Sequence, residues 1–240
     1  MSHRLAVLIL VGCAALARAS AADPPLIESI KAGDLAGLKA RLAAGADVGA
    51  IDRFSWTAVM WASGHADGAT LKALLDAGGD PAPKEPAAWS AIVEAAKGGR
   101  AENVALLAGK GLDCSAKDDV GVPAIAYAAT VSTQTVAALL ACKAKVNARD
   151  MNGLTALIRA AQLGRAAAVA QLLAAGARVD AKDKLGYTAL MWAAHDGWTE
   201  TVKTLVAAKA DLSLKGGDGK TAKELAQSRG HEAAAAEIPR

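Results

Sequence analysis

The chain has few of the residues on which metal and acid–base chemistry depend. Its 240 residues include 3 cysteines and 4 histidines, which form no H-x-x-x-H or C-x-x-C motif. Metal sites normally need ligands at such spacings or in carboxylate clusters. The sequence therefore predicts no metal, no cofactor and no catalytic centre. An enzyme, the alternative, would need His65 or His195 to pair with an acid such as Asp67 or Asp196.

A strong net charge is also missing. The chain has 27 lysines and arginines against 24 aspartates and glutamates, a formal charge of +3 at pH 7. Arg4 and Arg18 lie near the N-terminus, and without them the net charge is +1. Nucleic-acid-binding surfaces usually carry a clear excess of positive charge. The composition therefore argues against a nucleic-acid partner.

Long hydrophobic runs are absent as well, apart from one near the N-terminus. The apolar run 5–17 has 13 residues, whereas a spanning helix needs roughly 20. Arg4 precedes the run and small residues follow it at 17–22, a pattern that resembles a secretory signal peptide over 1–21, cleaved after Ala21. The alternative is a buried first helix. The sequence favours an exported protein with no transmembrane span.

Within this leader, Leu10-Val11-Gly12-Cys13 resembles a bacterial lipobox. A lipidated Cys13 would become the new N-terminus and tether the protein to a membrane. Ordinary cleavage predicts a periplasmic protein, and lipidation predicts an envelope lipoprotein; secretion from the cell is a third possibility.

Beyond the leader, the sequence repeats itself. From Thr155, steps of 33 residues lead to Thr188 and Thr221, and one step of 32 leads back to Pro123. A period of this size is typical of a solenoid, in which stacked units share a core that no single unit can form. The recurring positions are Pro24, Thr57, Ser90, Pro123, Thr155, Thr188 and Thr221.

The best-formed unit identifies the kind of repeat. It contains Gly153, Thr155-Ala156-Leu157, Ala160-Ala161, Gly164, Val169, Leu172-Leu173 and Gly176-Ala177. This string resembles the ankyrin repeat, G-x-T-P-L-H-x-A-A-x-x-G-x-x-x-x-V-x-x-L-L-x-x-G-A. The resemblance implies an all-α solenoid of helix-turn-helix units joined by hairpin-like loops, over 24–240. The expected repeats lie near 24–56, 57–89, 90–122, 123–154, 155–187 and 188–220, with a capping repeat at 221–240.

Each recurring residue has a physical role in this scheme. The hydroxyls of Thr155, Thr188, Thr57 and Ser90 are expected to cap the first helices. Glycines after the helices, such as Gly164 and Gly176, accept the positive φ of a helix end. In the second helix, Val169, Leu172 and Leu173 lie at i, i+3 and i+4 and form an apolar stripe.

The fourth repeat departs from the pattern. Pro123 replaces the capping threonine, and the segment 129–136 is one residue short and lacks the turn glycine. We therefore predict that residues 123–140 open first in hydrogen exchange.

Two cysteines lie beyond the leader, Cys114 and Cys142, 28 residues apart in adjacent repeats. In an oxidising compartment they are candidates for a disulfide. The alternative is that both are small buried thiols.

The ankyrin resemblance also implies a binding face, made by the loop tips before each recurring position and by the two residues after Ala-Ala. Phe54, Trp56, Trp89 and Tyr187 on these tips are half of all aromatic side chains, which favours binding; the alternative is that they pack between neighbouring loops. Trp61, Tyr127 and Trp192 are assigned to packing in the core. The predicted partner-binding residues are Arg53, Phe54, Trp56, His65, Trp89, Val120, Val122, Met151, Asn152, Leu154, Gln162, Leu163, Lys184, Leu185, Tyr187, His195 and Asp196.

The sequence thus predicts a monomeric, non-catalytic protein that binds a partner protein through a concave ankyrin face. An accessory or protective factor for a periplasmic enzyme is the favoured role. The alternatives are a lipid-anchored spacer in the cell envelope and a toxin-neutralising, immunity-like binder.

Overall fold

The computed structural model describes residues 23–82 and 90–239. These residues contain fourteen α-helices and no β-strand, which confirms the all-α repeat fold. Isolated antiparallel bridges close three loops, at Ile51–Thr57, Lys117–Pro123 and Arg149–Thr155. The predicted signal peptide 1–21, Cys13 and Trp89 lie outside the described residues.

The chain divides into two compact units, Met1–Ala87 and Ala88–Arg240. The described part of the first unit holds two helix pairs. The helices are α1 (Pro25–Lys31), α2 (Leu35–Ala43), α3 (Ala58–His65) and α4 (Gly68–Asp76).

The second unit holds five further pairs among its described residues. Its helices are α5 (Ala91–Lys97), α6 (Ala101–Gly109), α7 (Ala124–Val131), α8 (Thr133–Ala141), α9 (Ala156–Gln162), α10 (Ala166–Ala174), α11 (Ala189–His195), α12 (Thr199–Ala207), α13 (Ala222–Ser228) and α14 (Glu232–Ala236).

Within the second unit the helices form two parallel layers. Each first helix packs against the next, from α5 through α7, α9 and α11 to α13, and each second helix does the same from α6 to α14. Small residues permit the close approach of the first helices, since Ala160 and Ala161 and their equivalents are almost fully buried. The second helices contribute the stripe Val169 and Leu172, both fully buried, whereas Leu173, predicted to share it, is half-buried.

Threonine caps begin most of the first helices. The side chains of Thr57, Thr155 and Thr188 each accept a hydrogen bond from the backbone amide three residues later, as predicted. Thr221 makes the same bond. Ser90 makes no such bond, so its predicted capping role was wrong. Its backbone, at φ −142° and ψ 120°, differs from that of Thr155, at φ −93° and ψ 168°.

The connection between α7 and α8 is compressed to one residue. Ser132 ends α7 and also caps α8, where its side chain accepts a hydrogen bond from the amide of Thr135 at 3.2 Å. Pro123, at the start of α7, provides no side-chain cap. A recess of about 410 Å³ lies beside this short turn, between residues 129–134 and 165–168.

A covalent link spans the same helix pair. Cys114 and Cys142 form a disulfide, with an S–S distance of 2.05 Å and a Cα–Cα distance of 6.1 Å, inside the limit of about 7 Å for such a bond. Cys114 is buried in the loop before α7, and Cys142 directly follows α8. The bond therefore closes a loop around the whole α7–α8 pair.

Candidate functional site

The loops before α3, α7, α9 and α11 are each organised around one aspartate. In three loops the Oδ1 atom of this aspartate accepts hydrogen bonds from the backbone amides two and four residues later, at 2.8–2.9 Å. Asp118 accepts one such bond, from Val122 at 2.7 Å. These bonds fix the backbone of the tip without using the tip side chains. The aspartates are Asp52, Asp118, Asp150 and Asp183.

The second carboxylate oxygen of the same aspartate holds a side chain of the following helix. In every case the donor lies nine residues later. Each bond ties a loop tip to the exposed side of its own first helix. The donors are Trp61 Nε1 at 2.9 Å, Tyr127 Oη at 2.6 Å, Arg159 Nη2 at 2.6 Å and Trp192 Nε1 at 2.8 Å.

These contacts correct the assignment of Trp61, Tyr127 and Trp192 to the core. All three are half-buried, because their polar atoms reach an aspartate of the preceding loop rather than the interface between helices. The nine-residue spacing between each aspartate and its aromatic donor is visible in the sequence and is the signal that locates them.

In the first unit, rings extend this tether into a cluster. The centroids of Trp56 and Trp61 lie 5.4 Å apart, and those of Trp61 and His65 lie 5.2 Å apart. Lys31 Nζ lies 4.5 Å from the Trp61 centroid, a cation–π distance. A line of rings thus connects the loop tip with the end of α3.

The second unit repeats this arrangement with a tyrosine at the tip. The centroids of Tyr187 and Trp192 lie 5.3 Å apart, and those of Trp192 and His195 lie 5.8 Å apart. His195 Nδ1 lies 2.6 Å from Asp196 Oδ1. His65 and His195 are the last residues of their helices.

Burial shifts the ionisation of both tyrosines at this site. Burial, the hydrogen bond to Asp118 and the charge of Asp118 raise the pKa of Tyr127 from 10.0 to about 12. Burial and the nearby Asp218 also raise the pKa of Tyr187. The neutral phenol of Tyr127 is therefore the form that the fold stabilises.

This shift makes stability depend on alkaline pH. Since the folded pKa lies above the unfolded one, the contribution of Tyr127 is complete below pH 10 and declines as the pH rises to about 12. The chain has 2 tyrosines, so a Tyr187→Phe variant isolates Tyr127 for tyrosinate absorbance titration. We expect its midpoint near 12. Adding Asp118→Asn should lower this midpoint only part of the way towards 10, because the burial of Tyr127 remains. A midpoint at 10 in the Tyr187→Phe variant with Asp118 intact would contradict the raised pKa of Tyr127.

Large apolar side chains stand exposed on successive tips of the second unit. Val120, Met151 and Leu185 are 48%, 60% and 60% exposed. Neighbouring tips are joined by backbone bonds, from Lys184 N to Asn152 O at 2.9 Å and from Gly217 N to Leu185 O at 3.0 Å. Met151 and Leu185 are therefore held on connected tips. In the first unit, Phe54 is 61% exposed on the corresponding tip.

The predicted binding residues fall into three groups. Val122 is 6% exposed, so its prediction as a contact residue was wrong; it lies at the base of the loop, beside Pro123 rather than at the tip. The half-buried residues are Trp56, Leu154, Gln162, Tyr187 and His195. The exposed residues are Arg53, Phe54, His65, Val120, Met151, Asn152, Leu163, Lys184, Leu185 and Asp196.

Sequence reasoning missed one exposed aromatic residue, Trp198. It is 43% exposed, and its indole Nε1 donates to the backbone carbonyl of Gln162 at 2.9 Å. Its ring covers Gly164, where a Cβ atom would collide with it. Its position directly after Gly197, outside the recurring apolar positions, is the signal that could have drawn attention to it.

Neither a metal-ion cluster nor a membrane-spanning helix is found among the described residues. Residues 23–82 and 90–239 contain no cluster of three or more histidine, cysteine, aspartate or glutamate side chains suited to a metal ion. No helix in the same ranges has the length and apolar character to cross a membrane.

Comparison with known families agrees with this architecture. The family model of ankyrin repeats (3 copies) matches residues 92–183 and 168–237, together more than half of the chain. The chain therefore belongs to the ankyrin-repeat family, as its sequence signature predicted. Ankyrin repeats are generally protein–protein interaction modules and are typically non-catalytic. No curated protein matches the chain.

Proposed function

We propose that this chain is an exported, non-catalytic protein that binds a partner protein through its loop tips and the adjacent exposed side of its first helices. One observation carries the proposal: Val120, Met151 and Leu185 stand exposed on three successive tips of the second unit. Exposed apolar residues grouped on one surface mark interaction sites, because water contact with them is unfavourable.

The aspartate tethers support the same role. Four tips have their backbone fixed by an aspartate that also holds the following helix, as at Asp183 with Leu185, Tyr187 and Trp192. A surface that is already ordered loses little conformational freedom on binding, so more of the contact energy appears as affinity. Rigid aromatic residues such as Tyr187 and Trp192 are also frequent hot spots in interfaces.

The composition of the surface favours a protein partner. Apolar tips alternate with exposed polar and charged residues, among them Asn152, Lys184 and Asp196. Protein interfaces combine an apolar centre with a polar rim in this way.

The proposal is tested by capture of partners from an envelope extract of the source organism. A Met151→Ser, Leu185→Ser variant should retain at least about tenfold less of a specific partner, because burying each of these large apolar side chains contributes roughly 1.5–3 kcal/mol. Lys110→Ser and Lys209→Ser, at exposed second-helix ends of the same unit, form the control pair. Equal capture by all three proteins would place the binding surface elsewhere.

The proposed location is the periplasm, where the protein would assist or protect an enzyme. The supporting features are Arg4, the apolar run 5–17 and the small residues at 17–22. Cys13 in its lipobox-like context favours a second candidate, a membrane-tethered spacer. The intact mass of the mature protein separates the two: a chain beginning at Ala22 supports the first, and a lipidated Cys13 supports the second.

A further inference from the structure

A row of basic side chains follows the bases of the loops in the second unit. We call Lys117, Arg149, Lys182 and Lys215 the basic row; they recur at steps of 32 or 33 residues. Each of the first three donates to the backbone carbonyl of the next member. The bonds are Lys117 Nζ to Arg149 O at 2.8 Å, Arg149 Nη1 to Lys182 O at 2.6 Å and Lys182 Nζ to Lys215 O at 2.9 Å.

These bonds hold the cations in place but do not neutralise them. Among the described residues, no member of the basic row forms an ion pair with a carboxylate. An ammonium group has three N–H donors and a guanidinium has five, so each side chain keeps free donors. Lys117, Arg149 and Lys215 are exposed, and Lys182 is half-buried.

A groove beside the row adds to its positive charge. It has a volume of about 580 Å³ and is lined by Arg149, Arg178, Asp180 and Lys182, with Val179 and Ala181. Asp180 is the one acid in this lining. Its Oδ1 atom already accepts a hydrogen bond from the backbone amide of Asp211 at 2.9 Å. Three cations therefore face one acid whose charge is partly engaged.

From this arrangement we infer that the basic row and its groove bind an extended acidic segment of a polypeptide. Carboxylates match both the guanidinium fork of Arg149 and the free ammonium donors of the lysines. A line of cations at repeat spacing suits an extended chain better than a compact anion. The groove lining also contains an acid, Asp180, and the apolar Val179 and Ala181. This mixture suits a polypeptide segment better than nucleic acid, whose phosphates are far more densely spaced.

This surface is chemically distinct from the apolar tips. It requires charge complementarity and weakens with salt, because interactions between exposed charges are screened beyond about 10 Å at 0.1 M ionic strength. Apolar contacts at Met151 and Leu185 do not have this dependence.

Binding of poly-L-glutamate, measured by calorimetry at low and moderate salt, tests the inference. A Lys117→Gln, Arg149→Gln, Lys182→Gln variant should bind about tenfold more weakly, since three charge pairs at the surface are lost. A Lys110→Gln, Lys143→Gln, Lys209→Gln variant removes the same charge from exposed second-helix ends of the same unit and should bind like the native protein.

Two further variants distinguish an effect of the charges on binding from an effect on folding and from an effect of the apolar tips. A Lys117→Arg, Arg149→Lys, Lys182→Arg variant keeps every charge and should retain binding even if its thermal midpoint changes. The Met151→Ser, Leu185→Ser variant should also retain binding, so this result is independent of the proposed partner. The inference fails if the two charge-removing variants weaken equally, if native protein does not bind poly-L-glutamate, or if dextran sulfate binds more tightly than poly-L-glutamate.

Discussion

Replacing Cys114 and Cys142 by alanine is expected to lower the free energy of unfolding by about 3–4 kcal/mol. The bond joins residues 28 apart in sequence, and closing a loop of that length removes this much chain entropy from the unfolded state. Alanine is the suitable replacement because Cys114 is buried, where a serine hydroxyl would need a partner. Urea denaturation under oxidising conditions measures the difference.

The loss of stability should also be greatest in the α7–α8 pair. The pair α7–α8 lacks a side-chain cap at Pro123 and has a one-residue turn at Ser132, so the disulfide replaces constraints that other repeats obtain from these features. Residues 123–140 are predicted to open first in the native protein, and in the double variant we expect their amides to exchange faster still, with little change in other repeats. Reductant should reproduce both effects in the native protein and leave the variant unchanged. Equal unfolding midpoints for the variant and the oxidised native protein would refute this role of the disulfide.

The second large effect is expected at Asp150. Its side chain accepts hydrogen bonds from the backbone amides of Asn152 and Leu154, at 2.8 and 2.9 Å, and forms a salt bridge with Arg159 at 2.6 Å. The carboxylate side chain is only 2% exposed. Asp150→Ala leaves the guanidinium and both amides without this acceptor, and we expect a loss of about 3 kcal/mol or more in unfolding free energy.

Matched substitutions isolate the cause of that loss. Asp119→Ala removes an exposed aspartate from the preceding tip and should change stability by no more than about 0.5 kcal/mol. Asp150→Asn keeps an acceptor but removes the negative charge, so its loss should be intermediate. If Asp150→Ala and Asp119→Ala behave alike in thermal and urea unfolding, the buried network does not stabilise the loop.

The repeat period located much of this architecture in advance, because the residues that recur are those that the backbone requires. Thr155 and Thr188 begin helices. Gly164 follows α9 and Gly176 follows α10, with φ of 65° and 86°, where other residues would be strained. These requirements are local in sequence and can therefore be inferred from it. Ser90 shows the limit, since a residue suited to capping still needs the right backbone geometry before its hydroxyl reaches the amide.

The candidate site was less predictable, because exposure depends on where a side chain ends rather than where it begins. Trp61 and Trp192 start on the first helices, and periodicity alone places them with the packing residues. Their indoles extend instead to Asp52 and Asp183, a pairing that becomes evident only when the loop is folded over the helix. Val122 shows the opposite case, since a residue near a loop tip is buried when its own side chain faces the loop base.

The aspartate-centred loops have a consequence for how this surface changes over evolution. Each loop is shaped by contacts to backbone amides and to the first helix, and none of these contacts uses the side chain of Met151 or Leu185. Mutations at the tips are therefore free to alter recognition without altering the loop that presents them. A lineage carrying this framework could acquire new partners through single substitutions while the cost to folding stays small.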